Sequence, residues 1–333
     1  MLYTSDENQG LVKVLQFLKA HRLEHLSGED LSEVLHISRV AIWKHIKKIQ
    51  SLGYKIESKQ NLGYRLIDTT NLLLPWEIME DLKTKQIGNK VYYFDSVDST
   101  QSFATNIAKS QNEFGAVIIA ESQTLGKGRL GRQWVSPKGG IWLSVILQPK
   151  FDISKITLIP FAVAIALSNA IEKSLKIKTE LKWPNDLTIR GKKVAGIIID
   201  ASIESTRIES IVVGVGINFK IKPKEIEHRI KQKGNFYGVE TLVRDNKTKP
   251  VKLVKAFLEE LEDILQELER GKAQSIIAQW TKKSSTIGRQ ITVNSSGTKT
   301  TGKAIRLDRD GTLVIKSGTK TSWITSGDIS HQN

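Results

Sequence analysis

The sequence predicts an α+β multidomain protein. A three-helix segment with a β-hairpin comes first, a mixed α/β domain follows, and a small β-barrel closes the chain. Three observations predict this order: apolar residues recur at helical spacing near the N-terminus, strand and helix patterns alternate between residues 80 and 283, and short strands alternate with turns from Ile287 onward. A length of 333 residues suits two or three domains. We expect the boundaries at 1–66, 67–283 and 284–333.

The composition narrows the classes of function. The 50 basic and 35 acidic residues leave a net charge of +15, which favours polyanionic or phosphate-bearing partners, although a basic protein without such a partner has the same charge. The absence of cysteine excludes disulfides, cysteine-ligated zinc and thiol nucleophiles. There is no run of eighteen apolar residues, and the first residues, MLYTSDENQG, do not resemble a signal peptide. We therefore expect a cytoplasmic protein with no membrane partner.

Three helices with distinct apolar faces are predicted in the first domain. These faces are Leu11, Val14, Leu15 and Leu18 in the first helix, Leu31, Val34 and Leu35 in the second, and Ile42, Ile46 and Ile49 in the third. Ser27 and Asp30 occupy the positions of a capping box for the second helix, and Ser38 is the predicted cap of the third. The short turn at 36–37 joins these two helices. This spacing is that of a helix-turn-helix.

The cations of this domain are concentrated in its second half. Residues 39–65 carry seven Lys or Arg and one acid, against three cations and six acids in residues 1–38. Segments 54–58 and 63–66 are predicted to be the two strands of a β-hairpin wing. We favour a winged helix-turn-helix that binds DNA over the alternative, a three-helix interaction module with a solvated basic face. The candidate DNA-contacting residues are Ser38, Arg39, Trp43, Lys44, Lys47 and Lys48.

A polar helix start follows the first strand of the central domain. The segment VYYFDSVDSTQSFA (91–104) begins with aromatic and β-branched residues typical of a strand, and Asp98-Ser99-Thr100 then caps a helix. Hydroxyl and N–H groups at a helix start suit a polar or anionic ligand group. The alternative is an N-cap that binds no ligand.

A glycine-rich loop, TLGKGRLGRQW (124–134), follows the next apolar strand. Its three glycines let the backbone come close to a ligand, and its three cations can neutralise phosphate. Trp134 offers a stacking surface for a purine. The loop is neither a P-loop nor a dinucleotide fingerprint. The alternative is a solvated, flexible loop.

Two more segments of the central domain carry unusual residues. Lys182 stands in an apolar strand beside the rigid turn of KWPND (182–186), where it suits contact with an anion; a snorkelling surface lysine is the alternative. A hairpin that turns at 190–192 follows. In IVVGVGINF (211–219), two glycines on one face of a buried strand indicate close approach of a ligand or of another backbone.

These segments together resemble the biotin–protein ligase family. The matching order is DST, then Q-x-x-G-x-G-R-x-G-R-x-W with lysine at one variable position, then KWPND, a lysine–hydrophobic–AGI hairpin, and G-x-G-I-N. With the helix-turn-helix, nearly the whole chain resembles the bifunctional bacterial form, which is both ligase and biotin-operon repressor. The resemblance implies a biotin/lipoate ligase-like catalytic domain and an SH3-like β-domain at the C-terminus.

The resemblance also implies a two-step reaction. The carboxylate of biotin attacks the α-phosphate of ATP, with Mg²⁺, and gives biotinyl-5′-AMP and pyrophosphate. A lysine amine of the biotin carboxyl carrier protein of acetyl-CoA carboxylase then attacks this mixed anhydride, and AMP leaves. In the family the adenylate is also the corepressor, because it promotes a homodimer that binds operator DNA.

Site residues follow from the family's motifs. The catalytic residues that the resemblance implies are Lys182 and Arg129. The implied biotin-binding residues are Ser99, Thr100, Gln101, Gln123, Lys127, Gly128, Arg129, Lys182, Gly214 and Gly216. The implied ATP- and adenylate-binding residues are Arg129, Arg132, Trp134, Asn185 and Asn218, and Asp186 is the implied magnesium ligand.

One position departs from the family, and three alternatives stay open: a lipoate ligase, a ligase without repression and a ligand-sensing transcription factor. Lys127 stands where bacterial ligases have arginine; it keeps the charge and loses the planar fork. Lipoate ligases adenylate a carboxylate on the same fold but lack this glycine loop, and octanoyl transferases need a cysteine. The remaining alternatives are a ligase whose DNA-binding domain no longer represses and a transcription factor that senses a ligand without turnover.

Overall fold

The computed structural model describes residues 2–4, 8–111, 113–205, 207–230, 238–295 and 297–331. The α-helices are α1 Gln9–Ala20, α2 Gly28–Leu35, α3 Arg39–Ser51, α4 Pro75–Met79, α5 Thr100–Gln111, α6 Ile159–Leu175, α7 Pro223–Arg229, α8 Val251–Glu269 and α9 Ala273–Lys283. The strands are β1 Leu2–Thr4, β2 Lys55–Lys59, β3 Gly63–Asp68, β4 Val91–Phe94, β5 Val117–Ala120, β6 Ile141–Leu147, β7 Glu180–Lys182, β8 Asp186–Ile189, β9 Lys192–Glu204, β10 Arg207–Ile217, β11 Gln290–Ser295, β12 Thr298–Leu307, β13 Leu313–Ser317, β14 Lys320–Ile324 and β15 Asp328–His331.

The first three helices and the β2–β3 hairpin form the predicted winged helix-turn-helix. Ser27 Oγ accepts from the Asp30 N–H at 3.0 Å, and the Asp30 carboxylate accepts from the Ser27 N–H at 3.3 Å, which completes the capping box. Ser38 Oγ accepts from the Ala41 N–H and caps α3. The predicted apolar faces of α1 and α3 are fully buried. Local sequence signals therefore place these helices correctly.

The predicted apolar face of α2 is wrong at one residue. Leu31 is completely buried, but Val34 is 55% exposed. Helix α2 contacts the core through the completely buried Leu31 and the partly buried Leu35. Val34 fits the helical spacing of the apolar face, but its side chain lies at the exposed side of the helix.

An eight-stranded sheet in the order β1-β4-β5-β6-β10-β9-β8-β7 forms the central domain. β4 and β5 are parallel, and the other pairs are antiparallel. The strand at the N-terminus, Leu2–Thr4, pairs with β4 and so joins this sheet. Helix α5 covers one face, where Ala104 and Ile107 pack on apolar residues of β5, β6 and β10. Helices α6 and α9 contact the other face, and α8 packs on α6.

Helix α6 is a core helix of this domain. The segment Ile153–Leu175 is long and apolar enough, by length and composition alone, to cross a membrane. Most of its apolar side chains are buried against α8, α9 and the sheet. A core helix satisfies the same criteria of length and composition, and the packing accounts for its hydrophobicity.

A polar cluster joins the winged helix-turn-helix to the central domain. Lys19 Nζ of α1 lies 2.6 Å from Glu77 Oε1 and 2.7 Å from Glu80 Oε2. Tyr54 donates its phenolic O–H to Glu77 at 2.6 Å and accepts from Trp76 Nε1 at 2.8 Å. Because Glu77 is buried, these charge-assisted hydrogen bonds fix the junction.

The C-terminal domain is a small antiparallel sheet in the order β14-β13-β12-β11-β15. It packs on the central domain next to the KWPND turn, where Trp183 Nε1 donates to the carbonyl of Gly311 at 3.3 Å. Thr286 Oγ1 accepts from the Trp183 N–H at 3.1 Å. The turn is therefore held from the C-terminal side.

Candidate active site

A cavity of about 820 Å³ lies above the centre of the eight-stranded sheet. Its walls are the start of α5, the glycine loop, the KWPND turn and the ends of β9 and β10, with β11 and β15 of the C-terminal domain at one side. All the residues predicted to bind biotin or ATP line it: Ser99, Thr100, Gln101, Gln123, Lys127, Gly128, Arg129, Arg132, Trp134, Lys182, Asn185, Asp186, Gly214, Gly216 and Asn218. The fold thus brings segments from four parts of the chain to one place.

One end of the cavity is polar and uncharged. Gln123 Oε1 accepts from the Thr100 N–H at 2.8 Å and from Thr100 Oγ1 at 3.1 Å, while Gln123 Nε2 donates to Ser136 Oγ at 2.8 Å. Ser99 is buried at the start of α5, and its Oγ accepts from the Ser102 N–H at 3.4 Å. These hydroxyl and amide groups suit a small ring with its own hydrogen-bonding groups.

A second layer of hydrogen bonds lies beneath this end. Gln101 Nε2 donates to Asp200 Oδ2 and to the carbonyl of Val212, each at 3.0 Å. Ser144 Oγ, fully buried on β6, lies 3.0 Å from both Gln101 Oε1 and Thr100 Oγ1. Gly214 faces Ser144 across the sheet, and a Cβ there would overlap with Gln101 Oε1. Ser144 and Asp200 were not predicted, since a serine and an aspartate in strands carry no local signal.

The glycine loop is ordered by its own hydrogen bonds. The Gly128 N–H donates to the carbonyl of Arg132 at 2.8 Å, and the Trp134 N–H donates to the carbonyl of Gly126 at 2.8 Å. A Cβ on Gly126 would overlap with the Trp134 carbonyl, so this position requires glycine. The loop therefore has internal hydrogen bonds, while its Leu125 and Leu130 side chains are exposed to solvent.

The two loop arginines lie in different surroundings. Burial lowers the pKa of Arg129, and Asp186 and Asp328 oppose that effect. Its Nη1 donates to Asn185 Oδ1 at 3.0 Å. Arg132 is paired with Asp328 of β15, and this hydrogen-bonded pair raises the pKa of its guanidinium. Both guanidinium groups remain cations at neutral pH.

Lys182 is a buried ammonium at the cavity wall. It is 5% exposed, and burial lowers its pKa to about 8, with Lys193 adding to the lowering and Asp186 opposing it. It lies at the end of β7, directly opposite Asp186 of β8. The alternative prediction, that Lys182 is a surface lysine whose ammonium extends into solvent, is therefore wrong.

Lys193 belongs to the site and was missed as a site residue. Its Nζ lies 2.6 Å from Asp186 Oδ1 and 4.9 Å from the centre of the Trp134 ring. The lysine–hydrophobic–AGI pattern of the hairpin contained the signal, because that lysine is the second residue of β9, the strand that pairs with β8 after the KWPND turn. Lys193 therefore adds a third cation to the group formed with Lys182 and Arg129.

The Trp134 ring lies over two glycines of the central sheet, Gly216 and Gly196. A Cβ on Gly216 would overlap with the indole nitrogen, and a Cβ on Gly196 would lie 2.8 Å from the ring. The indole N–H is buried and has no acceptor among the described residues. Asn218 is buried at the cavity wall, and its Nδ2 donates to the Lys193 carbonyl at 3.1 Å. The glycines make room for a side chain of the protein itself.

The residues present do not form a magnesium site of their own. Asp186 Oδ1 is occupied by Lys193, and the described part of the chain has no group of three or more His, Cys, Asp or Glu that could hold a metal. Hard cations such as Mg²⁺ need several oxygen ligands. A carboxylate such as Asp186, which is already paired with a lysine, does not provide that set of oxygen ligands.

The predicted DNA-contacting residues lie on the separate N-terminal domain. Arg39, Trp43, Lys44 and Lys47 are exposed on α3, and Trp43 is 51% exposed. Lys48 differs, since it is half-buried and its Nζ lies 5.3 Å from the centre of the Tyr3 ring. Lys48 therefore faces the junction with the central domain.

Family models match three regions of the chain. Residues 93–218 match the "Biotin/lipoate A/B protein ligase family", residues 11–65 an "HTH domain", and residues 286–332 the "Biotin protein ligase C terminal domain". The predicted fold class and family are confirmed by these matches.

Several relatives and solved structures are similar to the chain. The bifunctional ligase/repressor BirA of Bacillus subtilis is 37% identical over 209 residues, which cover 62% of this chain and 64% of that protein. The Escherichia coli BirA is 27% identical over 310 residues, covering 92% and 93%. The Aquifex aeolicus biotin protein ligase, solved with biotin and ATP, superposes with a TM-score of 0.60 at 27% identity and covers 73% of this chain and 98% of its own.

Proposed function

The chain belongs to the biotin/lipoate protein ligase family, and we propose that it is an ATP-dependent ligase that attaches biotin to a lysine of the biotin carboxyl carrier protein of acetyl-CoA carboxylase. One observation carries this proposal. The buried ammonium of Lys182 and the guanidinium of Arg129 lie on the same cavity as the uncharged polar end around Thr100 and Gln123. Such a cavity suits a molecule with a polar ring at one end and phosphates at the other.

The first half-reaction joins biotin to AMP. A carboxylate oxygen of biotin attacks the α-phosphorus of ATP, the bond to the β-phosphate breaks, and pyrophosphate leaves. Negative charge accumulates on the phosphoryl oxygens during this step. Lys182 and Arg129 neutralise that charge in a buried setting, where electrostatic stabilisation is stronger than in water. With a pKa of about 8, Lys182 is mostly protonated at neutral pH and acts as a cation.

The second half-reaction transfers biotin to protein. The neutral amine of the carrier lysine attacks the carbonyl carbon of the mixed anhydride, an amide forms, and AMP leaves with the electron pair of the broken C–O bond. The attacking nitrogen loses a proton to solvent. No nucleophile of the ligase takes part, which agrees with a chain without cysteine. The work of the protein is positioning and charge stabilisation.

The remaining site residues bind the nucleotide in this proposal. The indole of Trp134 lies beside the adenine, and its unsatisfied N–H and the nearby Asn218 amide offer polar contacts. Arg132 binds phosphate after leaving Asp328, which is inexpensive because pairs of exposed charges contribute only about 0–1 kcal/mol. Lys127 and Gly128 close over the anhydride, and Asn185 orients Arg129.

We propose that Mg²⁺ enters with the phosphates of ATP as part of the substrate. Asp186 is the candidate protein ligand, but it is bound to Lys193, and the described residues contain no group of three or more His, Cys, Asp or Glu that could hold the ion. The fit of these residues to a resident metal is poor, so we derive no step from such a metal. Asp186 instead holds Lys193 among the other cations of the site.

The test of the ligase proposal is transfer to a carrier domain. The purified chain, ATP, Mg²⁺ and biotin are incubated with a biotin carboxyl carrier domain, and the product mass is measured. We expect one added biotin on the acceptor lysine. A carrier with that lysine changed to arginine and a lipoyl carrier domain with lipoate serve as controls. Modification of the lipoyl domain, or of neither domain, contradicts the proposal.

We also propose that the chain represses a biotin operon, with biotinyl-5′-AMP as corepressor. The observation that favours this second function is the exposed row of Arg39, Trp43, Lys44 and Lys47 on α3, in a domain that matches the HTH model. Adenylate binding promotes a homodimer in this proposal. Two winged helices then contact two half-sites of the operator. The carrier protein competes for the same surface, so biotin demand relieves repression.

The repressor proposal is tested on DNA from upstream of biotin-synthesis genes. We expect binding that tightens when biotin and ATP are added together and that coincides with dimer formation in sedimentation. Equal binding with and without the adenylate contradicts the corepressor role and favours a ligase without repression.

We further propose a cytoplasmic location and three functional units, at residues 1–66, 67–283 and 284–333. The strand Leu2–Thr4 lies in the first unit by sequence but pairs with the sheet of the second.

A further inference from the structure

We propose that Tyr3 is a positioning residue that fixes the orientation of the helix-turn-helix domain, and of helix α3 within it, on the central sheet. Its strand β1 acts as a strap, because it precedes α1 in the chain but pairs with β4 in the sheet of the next domain. This role goes beyond the proposed function, since it concerns how the two domains are held together and not what either of them binds.

One attachment of the helix-turn-helix domain runs along the connection that follows β3. Lys249 Nζ of the central domain lies 2.5 Å from Asp68 Oδ1, at the end of β3. In α4, Glu77 Oε1 binds Lys19 Nζ and the Tyr54 hydroxyl, each at 2.6 Å. These contacts all involve the short stretch of chain between residues 68 and 80. A domain that is held along one such stretch can still rotate about it.

The strap is a second attachment, and it lies on a different element. Its residues Leu2–Thr4 pair in antiparallel register with β4 of the central sheet, with Tyr3 opposite Tyr93. Because β1 precedes α1 and the other attachment follows β3, the domain is held at both of its chain ends. Together the two attachments prevent a rotation that either one alone would allow.

The ring of Tyr3 joins three elements. It packs edge-on against Trp76 of α4, with the ring centres 6.1 Å apart, and its centre lies 6.1 Å from that of Tyr93 on β4. The ammonium of Lys48, on α3, lies 5.3 Å from the centre of the same ring. Tyr3 is only 5% exposed, so these contacts enclose it. Aromatic pairs and cation–π contacts prefer particular distances and angles, which makes this ring a specific connection between the domains.

Lys48 brings helix α3 into this contact. The side chains of Lys44 and Lys47 on the same helix are exposed, whereas Lys48 is half-buried at the Tyr3 ring. The cations of α3 are thus divided: the exposed ones are available to phosphates, and Lys48 is held against the strap. A shift of β1 therefore acts on α3 itself and not only on the connection between the domains.

The test measures the position of the helix-turn-helix domain in the full chain, by the distance between two spin labels. Glu33→Cys in α2 and Asp263→Cys in α8 provide the label sites, because both side chains are exposed and the chain has no cysteine of its own. Without ligand or DNA, we expect one narrow distance distribution. In Tyr3→Ala it broadens roughly twofold or more, since domains joined by small interfaces move relative to each other by default.

Two variants separate the role of the ring from general destabilisation. Tyr3→Phe keeps the ring and its contacts, and the distance distribution stays narrow. Phe103→Ala is the matched control, because Phe103 of α5 packs its ring on Tyr92 and Phe94 of the same strand, β4. We expect Phe103→Ala to lower the melting temperature as Tyr3→Ala does and to leave the distribution narrow.

A second pair of variants tests the contact with α3. Lys48→Ala removes the ammonium from the Tyr3 ring, and we expect the distance distribution to broaden. Lys13→Ala removes an exposed lysine of α1 and leaves the distribution narrow. In a Tyr3→Ala background, Lys48→Ala broadens the distribution no further, because the ring that Lys48 contacts is gone.

DNA that carries two half-sites provides a further measurement, which rests on the repressor proposal. Helices at a fixed orientation in a dimer fit one half-site spacing, whereas helices on mobile domains reach several spacings at a lower effective concentration. We expect the wild type to prefer one spacing by roughly tenfold over a spacing changed by about five base pairs, half a helical turn. In Tyr3→Ala that preference falls to about threefold or less.

A wild-type distance distribution as broad as that of Tyr3→Ala overturns the inference, and so does a narrow distribution in Tyr3→Ala. Broadening in Tyr3→Phe or in Phe103→Ala equal to that in Tyr3→Ala overturns it as well. An unchanged preference for one spacing in Tyr3→Ala overturns the effect on α3. Because the distances are measured without biotin, ATP or DNA, a wild-type protein that neither exchanges pyrophosphate nor binds the half-sites overturns the proposed function alone.

Discussion

Arg129 Nη1 donates to Asn185 Oδ1 across 3.0 Å and thereby ties the glycine loop to the KWPND turn. Asn185 is itself held, because its Nδ2 donates to the carbonyl of Ile197 at 2.6 Å. The guanidinium is therefore oriented before any ligand binds. In a site whose work is charge stabilisation, groups that are already in place lose less freedom when the ligand arrives.

Changing Asn185 to alanine is expected to weaken ATP binding. The variant frees the Arg129 guanidinium and leaves the Ile197 carbonyl without a donor, and we expect the KM for ATP in pyrophosphate exchange to rise roughly 3- to 30-fold. Asn169→Ala, which removes an amide on α6 that bonds to Glu260, is the matched control. An equal effect of both variants would indicate general destabilisation.

The pKa of Lys182 predicts a descending pH profile. Burial lowers this pKa to about 8, and the protonated form is the one that stabilises phosphate charge. We expect kcat/KM for ATP to be flat below pH 8 and to fall as pH rises above it, since this parameter reports the free enzyme. Lys182→Arg, which stays protonated, abolishes the fall although its activity is lower. A rate that rises through pH 8 would mean that Lys182 acts as a base.

We expect Lys127, which lines the cavity, to determine how long the adenylate stays bound. An arginine at this position makes two parallel hydrogen bonds to an anionic group, where lysine makes a point contact. We expect Lys127→Arg to slow dissociation of biotinyl-5′-AMP roughly 3- to 10-fold, measured by chasing labelled adenylate with unlabelled. Lys138→Arg, outside the cavity, leaves the rate unchanged. An unchanged or faster rate in Lys127→Arg contradicts the role of Lys127.

Two residues of α3 are expected to affect DNA binding differently. Lys47→Ala removes one phosphate contact, so the slope of log K against log salt concentration becomes less negative by about 0.9. Trp43→Ala weakens binding without changing that slope, because an indole releases no counterion. Lys13→Ala, an exposed lysine of α1, changes neither quantity. A less negative slope in Trp43→Ala, or an unchanged slope in Lys47→Ala, contradicts the docking of α3 on DNA.

Much of the fold follows from local sequence signals. The caps Ser27 and Ser38 and the turn at 190–192 lie where the structure has them, because each depends on a few neighbouring residues. The pairing of Leu2–Thr4 with β4 was not predictable, since it joins segments about 90 residues apart. Val34 was misplaced because helical spacing defines a face without saying how much of it meets a partner.

The cavity was predicted in its composition but not in its internal contacts. Motifs identified the glycine loop and KWPND, and these segments do meet. The pairing of Lys193 with Asp186 and the bonding of Ser144 to Gln101 depend on strand register across the sheet, which single-sequence patterns do not contain. The glycines at 214 and 216 illustrate the same limit, because they accommodate Gln101 and Trp134 as well as any ligand.

The measurement that tests the central claim most directly is ATP–pyrophosphate exchange by the purified protein, with biotin and with lipoate. The account predicts exchange that depends on biotin, that lipoate does not support, and that is lost in Lys182→Met. Absence of exchange with either acid would contradict adenylation and leave a ligand-sensing regulator on this fold. Exchange with lipoate alone would assign the cavity to a different carboxylic acid.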